Sequence, residues 1–361
     1  MKLTRPTLLI DEKKARQNIQ QMADKAKKNG SVLCPHFKTH QSVAIGQWFL
    51  EAGVDKTTVS SVDMAKYFAD GGWKDITIAF PYNPLESVEI TQLAKQVVLN
   101  LIVVSKEGLN HLNEHVNAPV NYLIKVDVGT HRTGVNPENQ EEIEALAHSW
   151  NPQHRLTGLL AHAGHSYKEL NAQEAKQIFQ ESMRAFESVR KHTGRNDLLI
   201  SYGDTPTCSI LENFPGVYEL RPGNFVFYDI MQEHFGSCSL DQIAVCLATP
   251  IVAKHPERNE LVVYGGAVHL SKDYIIKDGQ KMFGYAVRLT EDGWESEPIA
   301  EVVRLSQEHG ILKVSGELMK SVKLGDLVGI LPVHSCLTAD LQGYYVSLAG
   351  QRLEKFDKSR V

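Results

Sequence analysis

Residues 98–128, VLNLIVVSKEGLNHLNEHVNAPVNYLIKVDV, hold two apolar runs, Val98–Val104 and Tyr122–Val128, on either side of a polar segment of helical length. Short apolar run, amphipathic stretch and second apolar run make a βαβ unit, which lays its two strands parallel in one sheet. The alternation extends both ways. Upstream lie Val32–Phe37, Thr58–Ser61 and Ile76–Ala79; downstream lie Leu156–His162, Leu198–Tyr202 and Tyr218–Arg221. From Asp11 to Gly30, Ala15, Ile19, Met22 and Ala26 share one helical face; Asp11 is the N-cap and Gly30 the stop. Further helices are predicted at Gln41–Ala52, Pro137–Ser149 and Ala172–His192. Eight strands, each followed by a helix-length segment over roughly 220 residues, predict an α/β fold, a closed (β/α)8 TIM-type barrel, rather than a doubly wound open sheet.

Beyond Ser237 the pattern changes. Ile243–Val252, Glu260–Val263, Val302–Leu305 and Leu327–Leu331 are β-like runs broken by Gly, Pro, Asp and Asn, with little helical periodicity. The chain therefore divides into residues 1–236, the barrel, and residues 237–361, a smaller all-β domain. A length of 361 residues agrees with two domains. A formal net charge of −5 argues against a general nucleic-acid binder, which needs a basic face for phosphates. The most apolar stretch, Val97–Val104, is interrupted by Asn100 and too short to span a bilayer. The N-terminus has only the brief apolar run Leu8–Ile10 and does not read as a signal peptide. The five cysteines (34, 208, 238, 246, 336) are scattered and form no Cys-x-x-Cys pair, as reduced thiols of a cytoplasmic protein would be.

Polar residues collect at the C-terminal ends of the predicted strands, the rim on which barrel active sites are built. Lys38 and His40 follow the first strand; Thr130, His131 and Arg132 follow Asp127; His162 and His165 end the next. Lys38, at the mouth of an apolar barrel, is expected to be desolvated, which would lower its pKa and favour a Schiff-base nucleophile. Tyr202-Gly203-Asp204-Thr205-Pro206-Thr207 and Arg221-Pro222-Gly223-Asn224 read as two halves of a phosphate cradle, since glycine admits backbone N–H groups to an anion and threonine adds hydroxyls. In the second domain, His334 and Cys336 would project to one side of an extended chain and share a metal, zinc being suited to that pair. Gln307-Glu308-His309-Gly310 forms a further polar cluster, equally readable as an exposed turn.

Pro35-His36-Phe37-Lys38-Thr39-His40, Asp127 to Val135, Thr205-Pro206-Thr207, Arg221-Pro222-Gly223-Asn224, Gln307-Glu308-His309-Gly310 and the His334–Cys336 pair, in this order, resemble the D-threonine aldolase / D-serine dehydratase group of pyridoxal-phosphate enzymes with the alanine racemase-like fold. The resemblance implies that Lys38 carries pyridoxal 5′-phosphate and moves a proton at the substrate Cα. It implies that Arg221 faces the pyridine nitrogen, that Gly203, Thr205, Gly223 and Asn224 bind the phosphate, and that Arg132 lies near the ring oxygen. His334 and Cys336 would hold a divalent metal, zinc or manganese, against the substrate β-hydroxyl. His165 and Tyr167 are candidates for assisting proton transfer there. A homodimer is expected.

Two positions depart from the family pattern: Cys34 stands where an Arg usually precedes the Pro-His, and Tyr264-Gly265-Gly266-Ala267 replaces an acidic-Ala-Gly turn. Asp204 would repel a phosphate unless its side chain turns away. The reading is a metal- and pyridoxal-phosphate-dependent lyase acting on D-3-hydroxy amino acids, either an aldolase or a dehydratase. Its rivals are an amino-acid racemase on the same scaffold and a non-catalytic pyridoxal-phosphate-binding protein.

Overall fold

A computed structural model describes residues 3–148, 151–168 and 170–357. These form two compact units, one from residues 20–38 and 46–223, the other from 3–19, 39–45 and 224–357.

The first unit is the barrel. Eight strands, Val32–Leu33, Lys56–Val59, Asp75–Pro81, Val98–Val103, Val120–Lys125, His154–Ala161, Leu199–Tyr202 and Glu219–Leu220, lie parallel in one sheet. The eighth returns to the first through Val32↔Glu219 and Leu33↔Leu220. A parallel bridge, His36↔Thr58, joins first and second strands and completes the ring. The first strand is shorter than its apolar run Val32–Phe37 because Pro35 has no N–H for the ladder. Its carbonyl still accepts from Thr58 N at 2.9 Å, and Phe37 N donates to Thr58 O at 2.8 Å. Ile102, Leu123 and Leu160, from three successive strands, form a buried cluster.

Helix ends follow capping chemistry. Ser61 and Ser105 accept from backbone N–H groups three residues on, and Asn171 with Glu174 forms a capping box on Ala172–Thr193, which stops at the left-handed Gly194. The helix predicted from Pro137 begins later, at Gln140, because Asn139 caps it; Ser149, the predicted end, lies outside the described residues. The helix after Lys38 starts at Val43 rather than Gln41, whose φ of 52° is left-handed.

The second unit is a nine-stranded sheet, antiparallel but for one pair. Thr7–Ile10, which reads in sequence only as a brief apolar run, is a strand of it, antiparallel to Val245–His255 and parallel to Tyr344–Ser347. All four residues are buried, so no in–out alternation marks them. Short helices, Ile230–His234, Ala267–Leu270, Gly316–Ser321 and Ser335–Leu341, lie between the strands of this β-rich unit. Gln307-Glu308 forms the hairpin turn between Ala300–Leu305 and His309–Lys313. The Ser306 and Gln307 carbonyls accept from Ala267 and Val268 N–H groups, so the cluster caps a helix.

Gly203 marks a close approach at the barrel mouth, since a Cβ there would lie 2.7 Å from Arg221 N. Gly203→Ala is expected to destabilise the protein by about 1–3 kcal/mol, the usual cost of overpacking, seen as a lower denaturation midpoint; a wild-type midpoint would show that the two strand ends can part freely.

Candidate active site

The segment carrying Lys38 is anchored by its neighbour. Phe37 is fully buried and packs against Phe49, Phe68 and Trp73 with ring centroids 4.9, 4.9 and 4.7 Å away. Lys38 itself is exposed, contrary to the desolvated amine expected from sequence. Beyond the His36 bridge, Phe37 is buried in the apolar interior and Lys38 is left exposed. Lys38 nevertheless shares a cationic environment. Burial, then Lys38, His162, Arg221 and Arg132 hold His36 well below the usual imidazole range. Burial likewise holds His162 down to about 3, with Lys38, Arg132 and Lys125 adding to it and a hydrogen bond to the Gly203 carbonyl opposing.

Two clamped loops surround this cluster. Asp127 accepts from the backbone N–H groups of Gly129 and His131, both at 3.0 Å, and lies 3.0 Å from His131 Nδ1. This tight turn presents the exposed Arg132. Thr130 Oγ1 donates to the His162 carbonyl at 3.0 Å and accepts from Gly164 N at 2.8 Å, tying the turn to the loop that holds His165 and Tyr167. Tyr167 is 38% exposed, and its ring lies 5.8 Å from that of His162. Asp204 does turn away from the cradle: its buried Oδ1 accepts from Ser166 Oγ at 2.6 Å and Thr207 N at 2.7 Å. Thr205 Oγ1 accepts from Gly223 N at 3.3 Å, which brings the two predicted half-cradles together.

Arg221 lies beneath them, 7% exposed. Nε donates to Ser201 Oγ, one terminal nitrogen to Thr58 Oγ1 and Cys34 Sγ, the other to Glu219 and Thr77 Oγ1. All five N–H groups that a guanidinium owns are thereby directed at protein acceptors. Glu219 also meets Lys56, which pairs with Asp75 at 3.1 Å. Burial pushes the Cys34 thiol up to about 11 despite Arg221, so a neutral Sγ accepts the guanidinium where an Arg would repel it.

In the second unit, His334 is the extended residue before the helix Ser335–Leu341, and Cys336 lies in that helix. Turn, rather than strand, therefore brings the two side chains together. Burial disfavours both charges, yet their mutual hydrogen bond lowers the Cys336 pKa and, with Asp229 and Asp273, raises that of His334 to about 10. Cys336 Sγ lies 3.3 Å from Thr39 Oγ1 and 3.4 Å from Asn224 Nδ2. The Asn224 side-chain amide donates to Asp229 at 2.6 Å and Ser335 Oγ at 3.1 Å. Asp229 also accepts from Ser335 N at 2.8 Å. Thr39, Asp229 and Asp273 were not singled out from sequence, since no spacing connects them to His334. Among the described residues no group of three or more His, Cys, Asp or Glu could hold a metal. The donor set is thus one thiolate and one imidazole, which suits a borderline-soft ion in an open site with water or substrate in its remaining positions.

Neutral, desolvated histidines make stability depend on pH. His162 and His40 have folded pKa values of about 3, below the ordinary value near 6.5, so the unfolded chain takes up protons that the folded chain refuses. Stability is expected to be full above about pH 6.5 and to fall as pH drops toward 3, by about 2 kcal/mol per histidine at pH 5. Urea unfolding across pH should show a shallower acid slope in His162→Asn; an unchanged slope would refute the burial of a neutral ring.

The model for the alanine racemase N-terminal domain matches residues 10–230, and that for the putative serine dehydratase domain matches 244–348. A D-serine dehydratase of Dictyostelium discoideum is 28% identical, covering 95% of this chain and 93% of that protein. A D-threo-3-hydroxyaspartate dehydratase of Delftia sp. strain HT23 is also 28% identical, over 96% and 94%. A cysteine-to-alanine variant of a D-threo-3-hydroxyaspartate dehydratase, solved in a metal-free form, superimposes with a TM-score of 0.89 at 24% identity, over 98% of both chains. The racemase-domain match alone spans more than half of the sequence, and the second begins where the β-rich part does: the chain belongs to the alanine racemase N-terminal domain family and carries a serine dehydratase domain after it.

Proposed function

We propose that this chain is a pyridoxal-phosphate- and divalent-metal-dependent lyase of D-3-hydroxy amino acids, working as a dehydratase. The observation that carries the reading is the contact of Thr39 Oγ1 with Cys336 Sγ, because Thr39 is the residue joined to Lys38. One peptide unit connects the lysine that would carry the cofactor to a side chain touching the thiol that would hold the metal. The full-length relatives named above, both dehydratases, support this subclass.

The barrel mouth fits an anionic cofactor. Lys38, Lys125 and Arg132 all bear on His162, whose ring is held neutral by desolvation first and by these cations in addition, and Asp204 turns its charge away. Lys38 would hold the cofactor covalently and take the proton from Cα. Thr205 Oγ1 with the backbone N–H groups of Gly203, Gly223 and Asn224 would bind the phosphate, and Arg132 would face the ring oxygen. Arg221 is assigned to the ring nitrogen, which requires one of its present acceptors to yield a donor. When bound, pyridoxal phosphate supplies an electron sink for charge at Cα, and the metal a Lewis acid for the β-oxygen. His334 and Cys336 would hold that ion, zinc by donor softness or manganese, and His165 and Tyr167 would move a proton at the departing oxygen. Residues 1–236 thus serve the cofactor and 237–361 the metal. The working form is proposed to be a cytoplasmic homodimer acting on a small molecule; no described helix is long and apolar enough to cross a membrane.

Incubation with D-serine and with D-threonine is expected to yield a 2-oxo acid and ammonia. Glycine with an aldehyde would establish the aldolase instead, and inversion at Cα the racemase. Lys38→Ala is expected to lose both turnover and the visible absorption of bound cofactor, and borohydride should trap cofactor on wild type only. Chelation, or Cys336→Ala, should abolish lyase turnover while fold and yellow colour persist, with zinc or manganese restoring the chelated enzyme. A Cys336→Ala protein of full activity would remove the metal from the mechanism.

A further inference from the structure

We propose that Asp273 is a positioning residue for the metal site: it takes the Nδ1–H of His334 and leaves Nε2 as the ligand atom. The inference rests on the reading that His334 and Cys336 hold the ion. Asp273 Oδ2 lies 2.6 Å from His334 Nδ1, a short charge-assisted contact. An imidazole bound to a carboxylate through one ring nitrogen has its tautomer and ring plane set, and the other nitrogen becomes a better ligand. Asp273 is not itself a free ligand, because its carboxylate is engaged by the ring it orients.

The segment bearing Asp273 is fastened to the helix that bears Cys336. Thr338 Oγ1 donates to the Leu270 carbonyl and Gln342 Nε2 to the His269 carbonyl, each at 3.2 Å. Ser271 then takes a left-handed φ of 67°, and its hydroxyl accepts from Asp273 N at 3.2 Å. Carboxylate, imidazole and thiol are thus held by elements bonded to one another. Asp229 holds Ser335, the residue between His334 and Cys336, through its N–H and Oγ. The His334–Cys336 pair is therefore braced from two directions before any ion arrives.

Zinc affinity of the full chain, measured by competition with a chromophoric chelator, tests the assignment. Asp273→Ala is expected to bind zinc about 10–100-fold more weakly. Asp273→Asn, which keeps an acceptor oxygen in place, should lose less, and it serves as the measured variant if Asp273→Ala does not fold. In zinc-loaded protein with 15N-labelled histidine, the signal that disappears in His334→Ala should show a protonated Nδ1 and a metal-bound Nε2. Wild-type affinity in both Asp273 variants, or coordination through Nδ1, would overturn the orienting role and leave the metal reading intact. A wild-type chain that binds neither zinc nor manganese would overturn both.

Discussion

The buried guanidinium of Arg221 holds the barrel's lower layer together. Its acceptors come from five strands or strand ends: Cys34 after the first, Thr58 in the second, Thr77 in the third, Ser201 in the seventh and Glu219 in the eighth. A cation taken out of water is tolerated only where every N–H is met and a counter-charge lies close. Glu219 supplies that charge and is itself held by Lys56. Three of these acceptors are hydroxyls and one is a thiol, so Glu219 is the charged one of the five. Cys34, where the family pattern has Arg, fits this arrangement: a second cation would have no acceptor left.

Above that layer the site is made of loops that hold one another. Asp127 folds its own turn, Thr130 fastens that turn to the 162–166 loop, and Ser166 fastens the loop to Asp204, the N-cap of the helix Thr205–Ile210. Each bond is local and modest, of about 1 kcal/mol net. In series they carry position from one strand end to the next, so Arg132, His165 and Thr205 are placed by a chain of contacts rather than by the sheet. Lys38 differs. Its place is set by Phe37 in an aromatic pocket, while its own side chain is exposed.

Preorganisation is equally visible around His334 and Cys336. Asp229, fully buried, accepts from Ser335 and Asn224 and caps the helix Ile230–His234, so one carboxylate sets the start of two elements. If the pair holds an ion as proposed, side chains fixed in this way would pay little ordering entropy on binding it.

The barrel was legible because its signal is local and repeated. Apolar runs of strand length alternate with helical segments, and turn-forming residues separate them. Lys38, the two glycine-containing half-cradles and the His-x-Cys pair were legible for a related reason: each is a short word at a strand end. Strand limits at Pro35 and the helix start at Asn139 follow from single residues that the broad pattern averages over. Other features leave no trace in any window. Thr7–Ile10 is buried on both faces and shows no alternation. Asp273 meets His334 across 61 residues, and Asp229 meets Ser335 across 106. The exposure of Lys38, the complete engagement of Arg221 and the turn of the Asn224 amide toward Cys336 were likewise decided by tertiary structure. Periodicity records which face of an element is apolar; it does not record which distant polar group will stand opposite once the chain has folded.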